Sequence, residues 1–160
     1  MGVAVISVRR AVEEDVPAMA ALEALNQPKS WSEGVFRDEL AAQNRVYLVA
    51  EDEELVGFGG VMVVGAEAHI TNLLVDPDGR RSGFGNRLMR GLIDAAIENG
   101  AKHLTLEVRS RNEAARSLYA GFGLVPVGVR KDYYTDDDAL ILWAHDIDSD
   151  EYRERLETLT

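Results

Sequence analysis

At 160 residues, with 46% of them hydrophobic, the chain is long enough for one domain with a single core. The absence of cysteine excludes disulfides, thiolate metal sites and a cysteine nucleophile, and the three histidines lack the spacing of metal ligands, so we expect no metal. The formal net charge of −11 argues against nucleic acid as a partner and favours basic partners, because phosphate contacts need clustered lysine and arginine.

We also expect no membrane association. No run in the sequence approaches the ~20 consecutive apolar residues that a membrane span needs. The N-terminus lacks the basic region, apolar run and small-residue cleavage site of a signal peptide. The sequence therefore predicts a cytoplasmic protein.

Hydrophobic periodicity predicts strands and helices in the first half of the chain. In chain order they are a strand over 3–8, a helix from about 13 to 25, a helix that follows Ser32, and strands over 46–51, 55–64 and 68–75. Ser32 is a typical N-cap, and the acidic residues 52–54 form a turn between two of the strands.

The second half predicts a turn over 76–79 and then further helices and strands. These are a helix that ends at 99–100, a strand over 104–108, a helix over 112–120, and strands over 124–129 and 139–146. The order indicates one α+β domain over residues 1–147, with a mixed, mostly antiparallel sheet of about seven strands and about four helices. Residues 148–160 are interpreted as an acidic C-terminal tail.

The segment from Arg80 to Gly85, Arg-Arg-Ser-Gly-Phe-Gly, stands where a strand and turn end and a helix begins. The unpaired N–H groups and positive dipole of a helix N-terminus attract anions, and Gly83 and Gly85 let the backbone approach a ligand closely. The segment matches neither the P-loop nor the dinucleotide fingerprint. Taken alone, it predicts either a phosphate loop or a glycine-rich turn without a ligand.

Residues 73–77, Leu-Leu-Val-Asp-Pro, followed by Arg80-x-x-Gly83-x-Gly85, resemble the acetyl-CoA signature of the GNAT family of N-acetyltransferases. The resemblance implies acetyl-CoA as the cofactor and a sheet that splays at a bulged fourth strand. It implies that the strand contacts the thioester end of acetyl-CoA and that the loop contacts the phosphates of the cofactor. The cofactor-binding residues so implied are Leu73, Leu74, Val75, Arg80, Arg81, Ser82, Gly83, Phe84, Gly85 and Asn86. Asn86 departs from the basic residue that such loops often carry.

A second segment, 106–124, resembles the RimI-type branch of this family, which acetylates N-terminal alanine of proteins. The likeness extends to residues 31–33 and 130–134 and covers the chain from about 8 to 147. It implies transfer of acetyl to the α-amine of a protein N-terminus, with a ribosomal protein as one implied substrate. The acidic tail lies outside the likeness.

The acceptor amine must be neutral to attack a thioester. Deprotonation at pH 7 costs about 1 kcal/mol for an α-amine of pKa ~7.7 and almost 5 kcal/mol for a lysine of pKa ~10.4. A modest base therefore suffices, and the resemblance places it at Glu107, acting directly or through one water. Strand alternation alone predicts instead that Glu107 is a surface carboxylate.

Collapse of the tetrahedral intermediate expels the CoA thiolate, and a phenol of pKa ~10 can protonate it. The resemblance assigns this acid to Tyr119 and a cofactor contact to Asn112, seven residues earlier and on the same helix face. Without the resemblance, Tyr119 is interpreted as core packing. The resemblance also implies that the oxyanion accepts a hydrogen bond from a backbone N–H near Leu74 or Val75.

Trp31, Tyr133 and Tyr134 are the candidate substrate-binding residues. The resemblance places the two tyrosines in a loop that covers the incoming peptide, opposite Trp31, and ordinary strand-edge packing is the alternative. Residues 136–138, three aspartates, lack the spacing of a calcium loop and are interpreted as a solvated turn.

Two other functions are open on the sequence. One keeps the fold and cofactor but acetylates a small-molecule amine or a lysine side chain. The other is a non-catalytic acyl-CoA-binding module, against which intact Glu107 and Tyr119 argue. The sequence does not predict the oligomeric state.

Overall fold

The computed structural model describes residues 7–27, 29–77 and 83–159, which form seven strands and five α-helices. In chain order these are β1 (Ser7–Arg10), α1 (Val16–Asn26), α2 (Glu33–Ala41), β2 (Arg45–Asp52), β3 (Glu54–Val64), β4 (Glu67–Val75), α3 (Phe84–Glu98), β5 (His103–Arg109), α4 (Glu113–Gly121), β6 (Val125–Tyr134), β7 (Asp137–His145) and α5 (Asp150–Leu159). Most of the strand predicted over 3–8 lies outside the described residues. No described helix is long and apolar enough to cross a membrane.

All seven strands belong to one sheet in the order β1-β2-β3-β4-β5-β7-β6. Neighbouring strands are antiparallel except for β4 and β5, which are parallel. The predicted mixed, mostly antiparallel sheet of an α+β domain is confirmed. The parallel pair is the one joined by a helical crossover, α3, as parallel strands require.

The sheet opens between β4 and β5. Their pairing is confined to three positions, from Glu67 opposite His103 to His69 opposite Thr105. On its other side β4 shifts register against β3, so that Thr71 is an extra, bulged residue. Beyond the bulge β4 pairs with β3 alone, which leaves a gap beside β5. The predicted splay at a bulged fourth strand is therefore confirmed.

Helices cover both faces of the sheet. Successive residues of β2 point to opposite faces, so Val46 packs in the cluster that contains α3, α4 and α5, and Tyr47 packs in the cluster that contains α1 and α2. The second helix begins as predicted, because the Ser32 hydroxyl accepts a hydrogen bond from Val35 N at 3.2 Å.

Residues 150–159 of the segment interpreted as an acidic tail form α5. Tyr152 and Leu156, four residues apart, share one helix face and are buried in the main core. The sequence pattern predicts no helix here, because two large apolar residues among acidic ones make a weak periodic signal. Ser149 caps α5, since its hydroxyl accepts from Tyr152 N at 3.1 Å.

Candidate active site

Two grooves meet where β4 parts from β5. The first, called the α3–α4 groove, has a volume of about 500 Å³ and lies between the start of α3, α4 and the end of β4. The second, called the α1–β5 groove, has a volume of about 550 Å³ and lies between the end of α1, the splayed part of β4 and β5. They share the lining residues Gln27, Leu73, Leu74, Arg109, Asn112, Ala115 and Tyr119.

The α3–α4 groove contains part of the predicted phosphate loop. Gly83 is the N-cap of α3 at φ +78°, and Gly85 and Asn86 line the groove. The side chain of Phe84 is buried against Ala50, so this predicted cofactor residue can offer a ligand its main chain only. Arg80, Arg81 and Ser82 lie outside the described residues. The first hydrogen bond within α3 runs from Arg87 N to Gly83 O. The amides that come before Arg87 in the first turn have no partner within the helix and are therefore available for an anion.

The two helices come close together at Gly85. A Cβ built on Gly85 would lie 3.3 Å from Cδ2 of Leu118 on α4, so a larger residue would press on that side chain. Leu73, Leu74 and Val75 form the β4 wall of the groove. Asn112 lines both grooves and caps α4 with Oδ1, which accepts from Ala115 N at 3.1 Å. The structure thus brings these predicted cofactor residues to one groove.

Glu107 lies in the α1–β5 groove. Leu106 and Val108 on β5 are buried in the core, and alternation turns Glu107 to the opposite face, where 19% of its side chain is exposed. That face is a groove wall and not open surface. Glu107 Oε2 lies 2.6 Å from His69 Nε2, and Oε1 lies 4.0 Å from Arg130 Nη2.

Sequence reasoning missed His69. It lies on β4 at the last position that pairs with β5, and 38 residues separate it from Glu107 in the chain. The spacing of the histidines along the chain carries no signal for a histidine that pairs with a carboxylate across two strands. The register of β4 against β5 creates this pair.

Tyr119 lies at the junction, where it lines both grooves, and the residue is 6% exposed. Its hydroxyl has no hydrogen-bond partner among the described residues. Burial raises the pKa of the Tyr119 phenol, and nearby Tyr134 raises it further. Tyr119 is therefore protonated at neutral pH and able to donate.

Trp31, Tyr133 and Tyr134 all line the α1–β5 groove. Trp31 packs edge-on against Phe36 with the ring centroids 5.4 Å apart. The two tyrosines do not lie in a loop, because β6 continues to Tyr134 through an irregular stretch of pairing. Burial raises the pKa of Tyr134, although the Arg109 guanidinium stacked 4.2 Å from its ring centroid opposes the rise.

Glu23 on α1 is a second lining residue that the sequence did not indicate. It is 6% exposed, and its carboxylate accepts from Trp31 N at 2.6 Å and from Asn72 Nδ2 at 3.2 Å. Desolvation raises the pKa of Glu23, and the two hydrogen bonds oppose that rise. The carboxylate ties the segment before α2 to the splayed part of β4.

Residues 136–138 are not a simple solvated turn. Asp137 has a side chain that is 7% exposed and accepts hydrogen bonds from Ser110 Oγ and from Arg111 N at 3.0 Å. The Ser110 hydrogen bond is the main reason that the pKa of Asp137 is lowered. Asp136 pairs with Arg109, which lowers the pKa of Asp136. The turn between β6 and β7 is thus attached to the end of β5.

Known proteins are similar to this chain in sequence and in architecture. A ribosomal protein bS18-alanine N-acetyltransferase of Escherichia coli is 34% identical over 132 residues, which cover 80% of this chain and 89% of the relative. A Bacillus subtilis protein, provisionally named for the same activity, is 38% identical over 141 residues, which cover 86% of this chain and 93% of the relative.

Solved structures have the same fold as this chain. The crystal structure of the ribosomal-protein-S18-alanine N-acetyltransferase from Escherichia coli superposes with a TM-score of 0.80 at 31% identity, covering 89% of this chain and 94% of that one. Ard1 from Thermoplasma volcanium has a TM-score of 0.81 at 24% identity, covering 89% and 98%, and supports the fold alone. The sequence model of the acetyltransferase (GNAT) family matches residues 16–124. The chain belongs to the acetyltransferase (GNAT) family, whose members use acetyl-CoA.

Proposed function

We propose that this protein transfers the acetyl group of acetyl-CoA to the α-amine of a protein N-terminus, and that an N-terminal alanine such as that of ribosomal protein bS18 is its acceptor. The observation that carries the proposal is the opening between β4 and β5, with Glu107 on one side and Tyr119 at the junction of two grooves. The names of the Escherichia coli and Bacillus subtilis relatives support the choice of acceptor.

The α3–α4 groove fits the cofactor. Free amides at the start of α3, with glycines at 83 and 85, suit phosphate oxygens, and the apolar wall of Leu73 and Leu118 suits a pantetheine chain. Acetyl-CoA supplies the activated acetyl thioester when it is bound. We assign Leu73, Leu74 and Val75 to the thioester end and Gly83 to Asn86 to the phosphates.

We assign Glu107 as the general base. The acceptor amine enters through the α1–β5 groove, and Glu107 accepts its proton directly or through one water. His69 holds one carboxylate oxygen at 2.6 Å, which leaves the other oxygen, 4.0 Å from Arg130, to accept the proton. His69 is a positioning residue in this scheme.

We assign Tyr119 as the general acid, which returns a proton to the departing thiolate sulphur. Its hydroxyl is not engaged by any described residue, and a tyrosine phenol is protonated at neutral pH before the reaction. Glu107 and Tyr119 lie on different elements, β5 and α4, that flank the opening. Base and acid can therefore act on opposite sides of one acetyl group.

The groove for the acceptor combines aromatic and charged groups. Trp31 and the Tyr133–Tyr134 pair provide apolar surface, while the charged lining includes carboxylates, such as Glu107, as well as the cations Lys29, Arg45 and Arg109. The side chain and backbone of a peptide can pack on the rings, and the Glu107 carboxylate can accept the proton of its amine. This composition supports a peptide amine as the acceptor.

The proposal is tested with acetyl-CoA and a panel of peptides that differ in the first residue and include the bS18 N-terminal sequence. Mass spectrometry with fragmentation locates the acetylated nitrogen. We expect acetylation of the α-amine, with alanine among the preferred first residues. Modification confined to lysine side chains or to small amines would reject a protein N-terminus as the acceptor but leave the family assignment intact.

A further inference from the structure

The C-terminal helix α5 contacts both helices that flank the α3–α4 groove. It lies outside the matched family region, residues 16–124, and no residue of α5 lines the groove. α5 can therefore influence the groove through α3 and α4, the helices that it contacts.

The end of α4 is held by two side chains of α5. The Tyr152 hydroxyl donates to the Phe122 carbonyl at 2.5 Å, and Arg155 Nη1 donates to the Gly121 carbonyl at 3.3 Å. The last carbonyls of a helix lack partners within the helix, and a cation near them interacts favourably with the helix dipole. Tyr152 and Arg155 thus satisfy groups that the short α4 cannot satisfy itself.

A glycine in a left-handed conformation lies beneath these two side chains. Gly123 follows α4 at φ +81°, and a Cβ there would lie 3.4 Å from Arg155 Nε and 3.5 Å from Tyr152 Cε2. The left-handed backbone at Gly123 ends α4 and turns the chain toward β6. The α5 side chains cover the turn that this creates.

The same helix is tied to α3. Arg90 Nη1 donates to the Leu156 carbonyl at 2.9 Å, and Leu156 is buried in the core cluster that also contains Met89, Leu92 and Tyr119. α5 is therefore hydrogen-bonded both to α3 and to the end of α4. Its opposite face is acidic and exposed.

We propose that α5 is a brace that keeps α3 and α4 at the separation needed to bind CoA, with Tyr152 and Arg155 as positioning residues. A nine-residue helix is marginal in isolation, so the position of α4 depends on its tertiary contacts. α4 carries Tyr119, and Asn112 is its cap, which makes the groove sensitive to a small movement of α4. The inference rests on the proposed assignment of the α3–α4 groove to CoA.

The experiment compares Tyr152→Phe, Arg155→Ala and Arg155→Lys with the native full-length protein. Titration calorimetry with CoA gives the Kd without any acceptor, and steady-state kinetics give KM for acetyl-CoA and for peptide. We expect Tyr152→Phe and Arg155→Ala to raise the Kd for CoA and the KM for acetyl-CoA by about three- to tenfold, the scale of one lost hydrogen bond. The peptide KM stays within about twofold, and Arg155→Lys restores CoA affinity at least in part.

Glu154→Gln, an exposed change on the same helix, is the matched control and leaves all three constants unchanged. If Tyr152→Phe and Arg155→Ala lower the melting temperature but leave both CoA constants at native values, α5 is a stability element and the brace is rejected. Arg155 is exposed, so its variant tests the idea even where Tyr152→Phe fails to fold. Since CoA binding needs no acceptor, the result stands apart from the question of which amine is acetylated.

Discussion

His69 Nε2 on β4 and Glu107 Oε2 on β5 lie 2.6 Å apart at the point where the two strands separate. The pair sits in the α1–β5 groove, and its geometry restrains the carboxylate that we assign as the base. A hydrogen bond to one carboxylate oxygen restricts rotation of the carboxylate, so the second oxygen keeps one direction. This arrangement predicts how changes at each residue affect turnover.

Removal of the imidazole in His69→Ala should lower kcat about tenfold, because Glu107 loses the hydrogen bond that orients it. The KM for acetyl-CoA should not change, since His69 does not line the α3–α4 groove. His69→Gln, which keeps a donor at similar reach, should recover part of the lost rate. His103→Ala, at the far end of β5, is the control; equal losses in both histidine variants would contradict the positioning role.

Glu107→Gln should reduce kcat by roughly 10²- to 10⁴-fold, the usual contribution of a general base. Gln can still bond to His69, so the fold and CoA affinity should be preserved. Stopped-flow or coupled assay of CoA release measures the rate, and calorimetry measures CoA affinity. The matched control is Glu67→Gln on the exposed start of β4. Native turnover in Glu107→Gln would remove Glu107 from the mechanism.

Tyr119→Phe should lower kcat by at least ~100-fold if the phenol protonates the leaving thiolate. Its free energy of unfolding should change by less than about 0.5 kcal/mol, because the hydroxyl bonds to no described residue and the ring keeps its packing. Urea unfolding measures the stability of the variant and so separates a loss of stability from a loss of kcat. A stable variant with undiminished kcat would show that the acid lies elsewhere.

Gly60→Ala should destabilise the protein by about 1–3 kcal/mol, because overpacking at a tight site displaces its neighbours. A Cβ at Gly60 would lie 2.4 Å from two ring carbons of Tyr47 and 2.7 Å from Thr71 Oγ1, next to the β4 bulge. Urea unfolding measures the loss, and acetyl transfer should fall with it as the bulge shifts. Gly34→Ala in α2, where the nearest atom is 3.7 Å away, should instead be neutral or stabilising.

Asp15 should make the stability of the protein depend on pH in the acid range. Arg9 donates two hydrogen bonds to Asp15, at 2.8 and 2.9 Å, and they lower its pKa below the unfolded value of ~3.9. Its stabilisation is therefore complete above about pH 4 and is lost as the pH falls through the folded pKa. Thermal melts from pH 5 downward should show a steeper loss for the native protein than for Asp15→Asn. Parallel curves would assign the acid sensitivity to other carboxylates.

Local patterns predicted most of the elements, since each depends on neighbours in the chain. Ser32 caps α2 as expected, and the helix that starts after Gly83 ends near Asn99, as its periodicity indicated. The hydrophobic pattern did not predict α5, where the buried residues Tyr152 and Leu156 stand among acidic ones. It also predicted too short a strand for β6, which continues to Tyr134. Tertiary packing decides both cases.

The sequence by itself determined the family resemblance, the order of strands and helices, and the glycine-rich start of α3, because these are properties of contiguous residues. The tertiary structure alone decided which groups meet. His69 reaches Glu107 across 38 residues, Glu23 reaches Asn72 across 49, and Tyr152 reaches Phe122 across 30. Such pairs follow from strand register and helix docking, which depend on the whole core and leave no periodic trace in the chain.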